Sequence, residues 1–240
     1  ACIIGKGTDY ARNIVRNYFE KHSAEELKNQ YYLKLDIAKF YDNIAHSLVL
    51  NNTKEILKDH PETFEIIKTI LSSYNKETQI NQENEFRRQK KLPKIDPTPF
   101  IDTEIALSEK GLPLGNQISQ LLANLILTKL DNFIKQTLRV KHYVRYMDDL
   151  LIFGETKEKL KSHLKRLNEF VKTLHLSFNQ KTRLAPMAKG ISYLGYTYFI
   201  DTHKSDGKPI FKIKLRRSTV LRARKKIEKE IISFKRSEER

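Results

Sequence analysis

One stretch constrains this chain more than any other. In "KHYVRYMDDLLIFGE", residues 141–155, Asp148 and Asp149 stand side by side inside a run that otherwise reads as buried strand. Tyr143, Val144 and Tyr146 precede the pair; Leu150, Leu151, Ile152 and Phe153 follow it. Adjacent anions repel each other and are costly to take out of water. Either the pair lies at an exposed turn, or positive charge sits beside it.

A third carboxylate stands at a strand end. "YYLKLDI" from Tyr31 is rich in β-formers and places Asp36 just before "AKFYDNI". A strand-end Asp with an Asp-Asp pair on a hairpin is a constellation for two metal ions. Three carboxylates can hold two Mg²⁺ about 3.5–4 Å apart, and Mg²⁺ favours one or two carboxylates plus phosphate oxygens. Metal is then the missing positive charge.

Around these pieces the periodicity predicts helices over Thr8–Glu20, Asn51–Tyr74 and Ile118–Thr137, the last with Leu121, Leu122, Leu125, Ile126, Leu130 and Phe133 on one broad face. Thr156 caps a further helix with Leu160, Leu164, Leu167, Val171 and Leu174 as its stripe. "ISYLGYTYF" reads as one strand, paired with "GKPIFKIKL" through a turn at "KSDG". "NKETQINQENEFRRQKKLPKIDPTP" is polar and Pro-bearing, a surface insertion near 75–110. Helices packed on one face of an antiparallel sheet make an α+β fold.

The net charge is +16, and 12 Lys or Arg against 4 Asp or Glu fall between Lys212 and Arg240. Such a surplus calls for an anionic partner, nucleic acid first. The same segment reads as a strand leading into a basic amphipathic helix. Cys2, the single cysteine, permits no internal disulfide and suits a reducing cytoplasm. No apolar run nears the ~20 residues of a membrane span, so no membrane partner is expected. The His and Cys residues show no zinc spacing, and no P-loop is present. The opening "ACIIGKGTDY", without Met or signal peptide, reads as a trimmed start.

"YVRYMDD", with "LKLDIAKFYDNI" upstream and "LGY" downstream, resembles a reverse transcriptase, and the ordered set covers nearly the whole chain. "ACIIGKGTDYA", "LPLGNQISQLLANLIL", "LRVKHYVRYMDDLLIF", "LAPMAKGISYLGY" and "LRRSTVLRARKKI" resemble the bacterial enzymes of diversity-generating retroelements. Group II intron and phage-defence reverse transcriptases share the framework, as would a catalytically silent RNA-binding relative. Intron enzymes usually carry Gln-Gly and then Ser-Pro where this chain has Leu114-Gly115 and Ser119-Gln120, a departure toward the diversity-generating group.

The resemblance implies a right-hand polymerase: partial fingers over 1–30, palm over 31–200, then a palm hairpin and the start of a basic helical thumb over 201–240. It implies Asp36, Asp148 and Asp149 as ligands of two Mg²⁺, with Mn²⁺ as a substitute, and Lys181 as a proton donor to pyrophosphate. Ile37, Ala38, Lys39, Phe40 and Tyr41 would lie at the incoming dNTP. The Ala38–Tyr41 amides would cradle the triphosphate, and Tyr41 would bar a 2′-hydroxyl. Leu114, Gly115 and Gln117 would lie under the templating pair. Lys6, Arg12, Tyr146, Met147, Tyr193, Leu194 and Gly195 would contact primer or template. The partners implied are an RNA template, a DNA or RNA primer and a small basic accessory protein. Error-prone copying at adenines is implied too, with Leu114 replacing a hydrogen-bonding Gln. The family also carries residues upstream of "ACIIGKGT", and the chain stops inside what reads as the first thumb helix.

Overall fold

The computed structural model describes residues 4–72, 84, 87–89, 93, 110–113, 115–201 and 210–238. Most of the insertion expected near 75–110, the turn at Lys204–Gly207 and Leu114 lie outside them.

The centre is a four-stranded antiparallel sheet in the order β2-β3-β1-β4, with β1 Tyr31–Asp36, β2 Tyr143–Tyr146, β3 Asp149–Gly154 and β4 Arg183–Pro186. Strand β1 is apolar on both sides: Leu33 and Leu35 point one way and Tyr32 the other, all buried. Such double-sided burial needs cover on both faces. Helices supply the first, as the pattern predicts. They are α4 His46–Ile56, α5 Pro61–Ser72, α6 Gln117–Asn132 and α7 Lys157–Thr173, following α1 Thr8–Glu20, α2 Ala24–Asn29 and the short α3 Phe40–Asn43. Ile126, Leu127, Leu160 and Leu167 pack there on Leu33, Leu35, Leu150 and Ile152.

The second face is covered as well. Val15 and Phe19 of α1 and Leu27 of α2 meet Tyr32, Leu151 and Phe153 there, together with a second sheet. That sheet is β5 Ile191–Tyr193, β6 Tyr196–Asp201 and β7 Ile210–Leu215, in sequence order. Its inner face contributes Ile191, Tyr193 and Tyr198. "ISYLGYTYF" is therefore a hairpin and not one strand: Tyr193 pairs with Tyr196 around Leu194-Gly195.

The helix expected over Asn51–Tyr74 is two. Helix α4 stops at Ile56, and Pro61 opens α5, as suits a residue without an N–H to donate. Helix α6 keeps an α-helical pitch only to Asn132 and finishes as a π-turn over Phe133–Thr137. Leu121, placed by periodicity on its buried face, is 59% exposed. The Thr156 hydroxyl caps α7 by accepting from the Lys159 amide at 3.3 Å. The basic segment forms β7 and then α8 Arg217–Glu238, on which Leu221, Ile227 and Ile231 are about half exposed. Among the described residues no helix is long and apolar enough to cross a membrane.

Candidate active site

The register of the central sheet assembles the site. Asp36, last in β1, lies directly opposite Asp149, first in β3. The β2–β3 hairpin closes Tyr146 on Asp149, so Met147 and Asp148 are its two turn residues. The three carboxylates thus meet at one sheet end. Like charges opposite each other across a ladder are destabilising, and the carboxyls show it. Burial, then the neighbouring Asp36 and Asp149, raise the Asp148 carboxyl above the usual range. Burial and Asp36 likewise raise Asp149 against the opposing pull of Lys34.

Lys34 and Asn179 answer this charge at close range, and Arg216 adds a weaker pull on Asp149. Lys34 Nζ lies 3.6 Å from Asp149 Oδ1. Asn179 Nδ2 donates to Asp36 Oδ2 at 3.1 Å, while its backbone N–H donates to the Asp36 carbonyl at 2.7 Å. Among the described residues no three His, Cys, Asp or Glu side chains are already gathered as a metal cage. The donor set is nevertheless right for Mg²⁺: hard oxygens only, in mutual repulsion that a divalent cation relieves.

The turn itself is held from behind. Met147 has φ 55°, left-handed and costly for a side-chain-bearing residue. Arg145 NH1 donates to the Met147 carbonyl at 3.0 Å and to Asn124 Oδ1 at 3.1 Å. Its Nε and NH2 grip both Asp131 oxygens, at 2.8 and 2.5 Å. The Tyr143 hydroxyl also donates to Asp131. The Met147–Asp148 turn is thereby pinned to α6.

Just beyond Asp36, Ile37 bridges to Phe178. Lys39 has φ 42° and opens α3. Phe40 is buried, and Tyr41 is half-buried, its ring 5.7 Å from that of Phe40 in an edge contact. The Leu112 amide donates to the Tyr41 carbonyl at 2.9 Å, which brings Leu112 beside Tyr41. Gly115 (φ 86°) and Gln117 are exposed at the start of α6, capped by Asn116. The expected cradle needs one correction: the Ala38 amide is occupied, donating to the Ser177 carbonyl at 2.9 Å.

On the other side, buried Tyr193 reaches the Asp149 carbonyl with its hydroxyl at 3.4 Å, and burial pushes that phenol well up. Leu194 (φ 44°) and Gly195 (φ 85°) form the turn beyond it. Arg12 does not point away from the protein as a backbone contact would. It donates to the Leu194 carbonyl at 2.9 and 3.2 Å, pairs with Asp9, and stacks on Tyr196 at 4.6 Å. Lys6 and Tyr10 instead line a groove of about 480 Å³ that Leu121, Asn124, Arg145 and Met147 also border. Tyr146 packs on the second core. Lys181 is exposed, its amide donating to Asn179 Oδ1 at 3.1 Å, so it sits near Asp36 only through Asn179.

Sequence reading missed Lys34, Asn179 and the Arg145–Asp131 clamp. A signal existed for Lys34: two residues before Asp36 on a strand is the same face. Nothing local marks Asp131 or Asn179 as partners.

The reverse transcriptase (RNA-dependent DNA polymerase) family matches residues 6–198. This chain belongs to that family. No curated protein matches it. Among solved structures, this reverse transcriptase chain is similar to telomerase from Candida albicans in complex with a TWJ fragment of telomeric RNA. Identity is 12% and the TM-score 0.52, over 88% of this chain and 34% of that one. Apo telomerase from Candida tropicalis, truncated from its C-terminal domain, gives 13% and 0.49, over 90% and 40%. At such identity the first likeness shows a shared fold. The reverse transcriptase chain spans only between a third and two fifths of those proteins' length.

Proposed function

We propose that this chain is the catalytic part of an RNA-directed DNA polymerase, adding dNTPs to a primer 3′-hydroxyl along an RNA template. The observation that carries the reading is the register placing Asp36 opposite Asp149, with Asp148 on the adjoining turn, in a chain of the reverse transcriptase family. Asp36, Asp148 and Asp149 would hold two Mg²⁺, or Mn²⁺ in their place. When bound, such ions activate the attacking hydroxyl and neutralise charge on the transferred phosphoryl group.

The chain's own residues do the positioning. The half-buried ring of Tyr41 bars a 2′-hydroxyl and so selects dNTP over rNTP. Gly115, exposed at positive φ, lets backbone approach the templating pair. The Leu194–Gly195 turn supports the primer end, and Lys6 in its groove faces template phosphates. Lys181 donates a proton to pyrophosphate. Residues 1–30 act as partial fingers, 31–200 as palm and the basic α8 as the root of the thumb. The diversity-generating subclass, with a small basic accessory protein, a cytoplasmic setting and frequent errors at template adenines, is the finer form of this reading. It rests on the motif resemblance and on Leu114.

Primer extension on a defined RNA, with sequenced products, is the test. Asp148→Asn is expected to lower the rate at least ~100-fold, the scale of a lost electrostatic contact in the transition state, and to leave template binding within twofold. Extension at near-parental rate would overturn the assignment. Errors indifferent to adenine, or unchanged in Leu114→Gln, would remove the subclass and leave the polymerase.

A further inference from the structure

Lys34 is a lysine in an unusual place. It shares a sheet face with Asp36, two residues on, and with Asp149 across the ladder. Its Nζ lies 3.6 Å from Asp149 Oδ1, and the two side chains are only 24% and 34% exposed. The same Nζ donates to the Ser192 carbonyl at 3.1 Å and lies 5.9 Å from the Tyr193 ring centroid. One ammonium therefore joins a carboxylate of the central sheet to the backbone of the second.

We propose that Lys34 is a built-in counter-cation of Asp149 that competes with the metal ion and so sets the concentration at which the site fills. This inference rests on reading the three carboxylates as a metal centre. Without metal, Asp149 faces Asp36 across the ladder, and Lys34 is the cation in contact with it. A divalent ion on Asp149 both takes the oxygen that Lys34 faces and repels its ammonium. The release costs little, because the ammonium keeps the Ser192 carbonyl as acceptor. Removal of Lys34 should therefore strengthen metal binding. A purely structural lysine would not do that, since its loss disturbs the site and weakens binding.

The test uses Mn²⁺ alone, titrated into the nucleic-acid-free protein and followed by the paramagnetic signal of the free ion. Circular dichroism melts confirm that each variant is folded. Lys34→Met keeps the apolar stem and should bind Mn²⁺ about three- to fivefold more tightly, the upper range of a partly screened charge pair. Lys34→Arg keeps the charge and should stay within twofold of the parent. If Lys34→Met does not fold, Lys34→Gln carries the same expectation. Equal or weaker binding in the folded neutral variant overturns the Lys34 proposal while the metal centre stands. A parent that binds no Mn²⁺ at millimolar concentration, or binds it as well after Asp149→Asn, overturns the metal centre itself.

Discussion

Two tight turns in this molecule are built alike and differ at one position. Met147-Asp148 joins β2 to β3; Leu194-Gly195 joins β5 to β6. Each begins with an apolar residue at positive φ, 55° at Met147 and 44° at Leu194. In each an arginine donates to that residue's carbonyl, Arg145 in one and Arg12 in the other. The second turn follows with Gly195 at φ 85°, so both its residues take the left-handed form that matches strand twist. The first has Asp148 there, which is not among the residues at positive φ. One turn uses its second residue for backbone geometry; the other gives that up to present a carboxylate. The clamps differ accordingly. Arg145 is held by half-buried Asp131 and its own side chain is 12% exposed, while Arg12 is held by Asp9, 87% exposed. The turn that lacks the helpful glycine has the stronger brace.

The largest way to break this comparison is at the anchors. Asp131→Ala leaves the Arg145 charge buried and unpaired, and should cost about 2–4 kcal/mol in urea unfolding, somewhat below a fully buried pair. Asp9→Ala, at the exposed anchor, should stay within about 0.5 kcal/mol. Equal losses would mean that the two braces do not differ. Next in size is Arg12→Ala, which removes two hydrogen bonds and the stack on Tyr196. A loss of about 1–2 kcal/mol is expected, with weaker primer–template binding by filter retention and an unchanged single-turnover rate.

Gly195→Ala sharpens the point about geometry. The nearest atom to an added Cβ is Thr219 Oγ1 at 3.6 Å, so no clash arises. The cost is conformational, about 1 kcal/mol, read from the melting temperature. The smallest effect has the opposite sign. Folding raises the Asp148 carboxyl, first by burial. A raised carboxyl favours the fold at low pH, where it is protonated, and that contribution is lost as pH rises through its folded value. At neutral pH the ionised group opposes folding. Asp148→Asn should therefore raise the metal-free melting temperature by about 1–3 °C at pH 7, with the gap closing on acidification. A variant that melts lower than the parent at pH 7 would contradict this.

What could be read in advance follows from which forces are local. The Thr156 cap and the α7 stripe, the Asp36 strand end and the hairpin at "YMDD" depend on neighbours in sequence, and the structure contains them. Pro61 was a visible stop signal that an apolar periodicity on both sides overrode. The β5–β6 turn hid because Leu194 is apolar, and only its positive φ separates it from strand. Partners far along the chain were out of reach: Arg12 was expected at primer or template, and its acceptor within the protein lies 182 residues away. The Ala38 amide is likewise claimed by Ser177, a contact that only the closed sheet creates.

The β3 strand has a consequence for how the molecule comes apart. It lies between β1 and β2, with Leu150, Leu151 and Ile152 fully buried between two cores. Amides in such a strand exchange with solvent only when the whole domain opens. Asp149 is continuous with that slowest-opening segment, while the Leu194 turn belongs to a three-stranded layer on the flank. Gentle heating should then loosen the flanking layer first and leave the carboxylates in register until global unfolding, so that the Asp36–Asp149 pairing outlasts the Leu194–Gly195 turn.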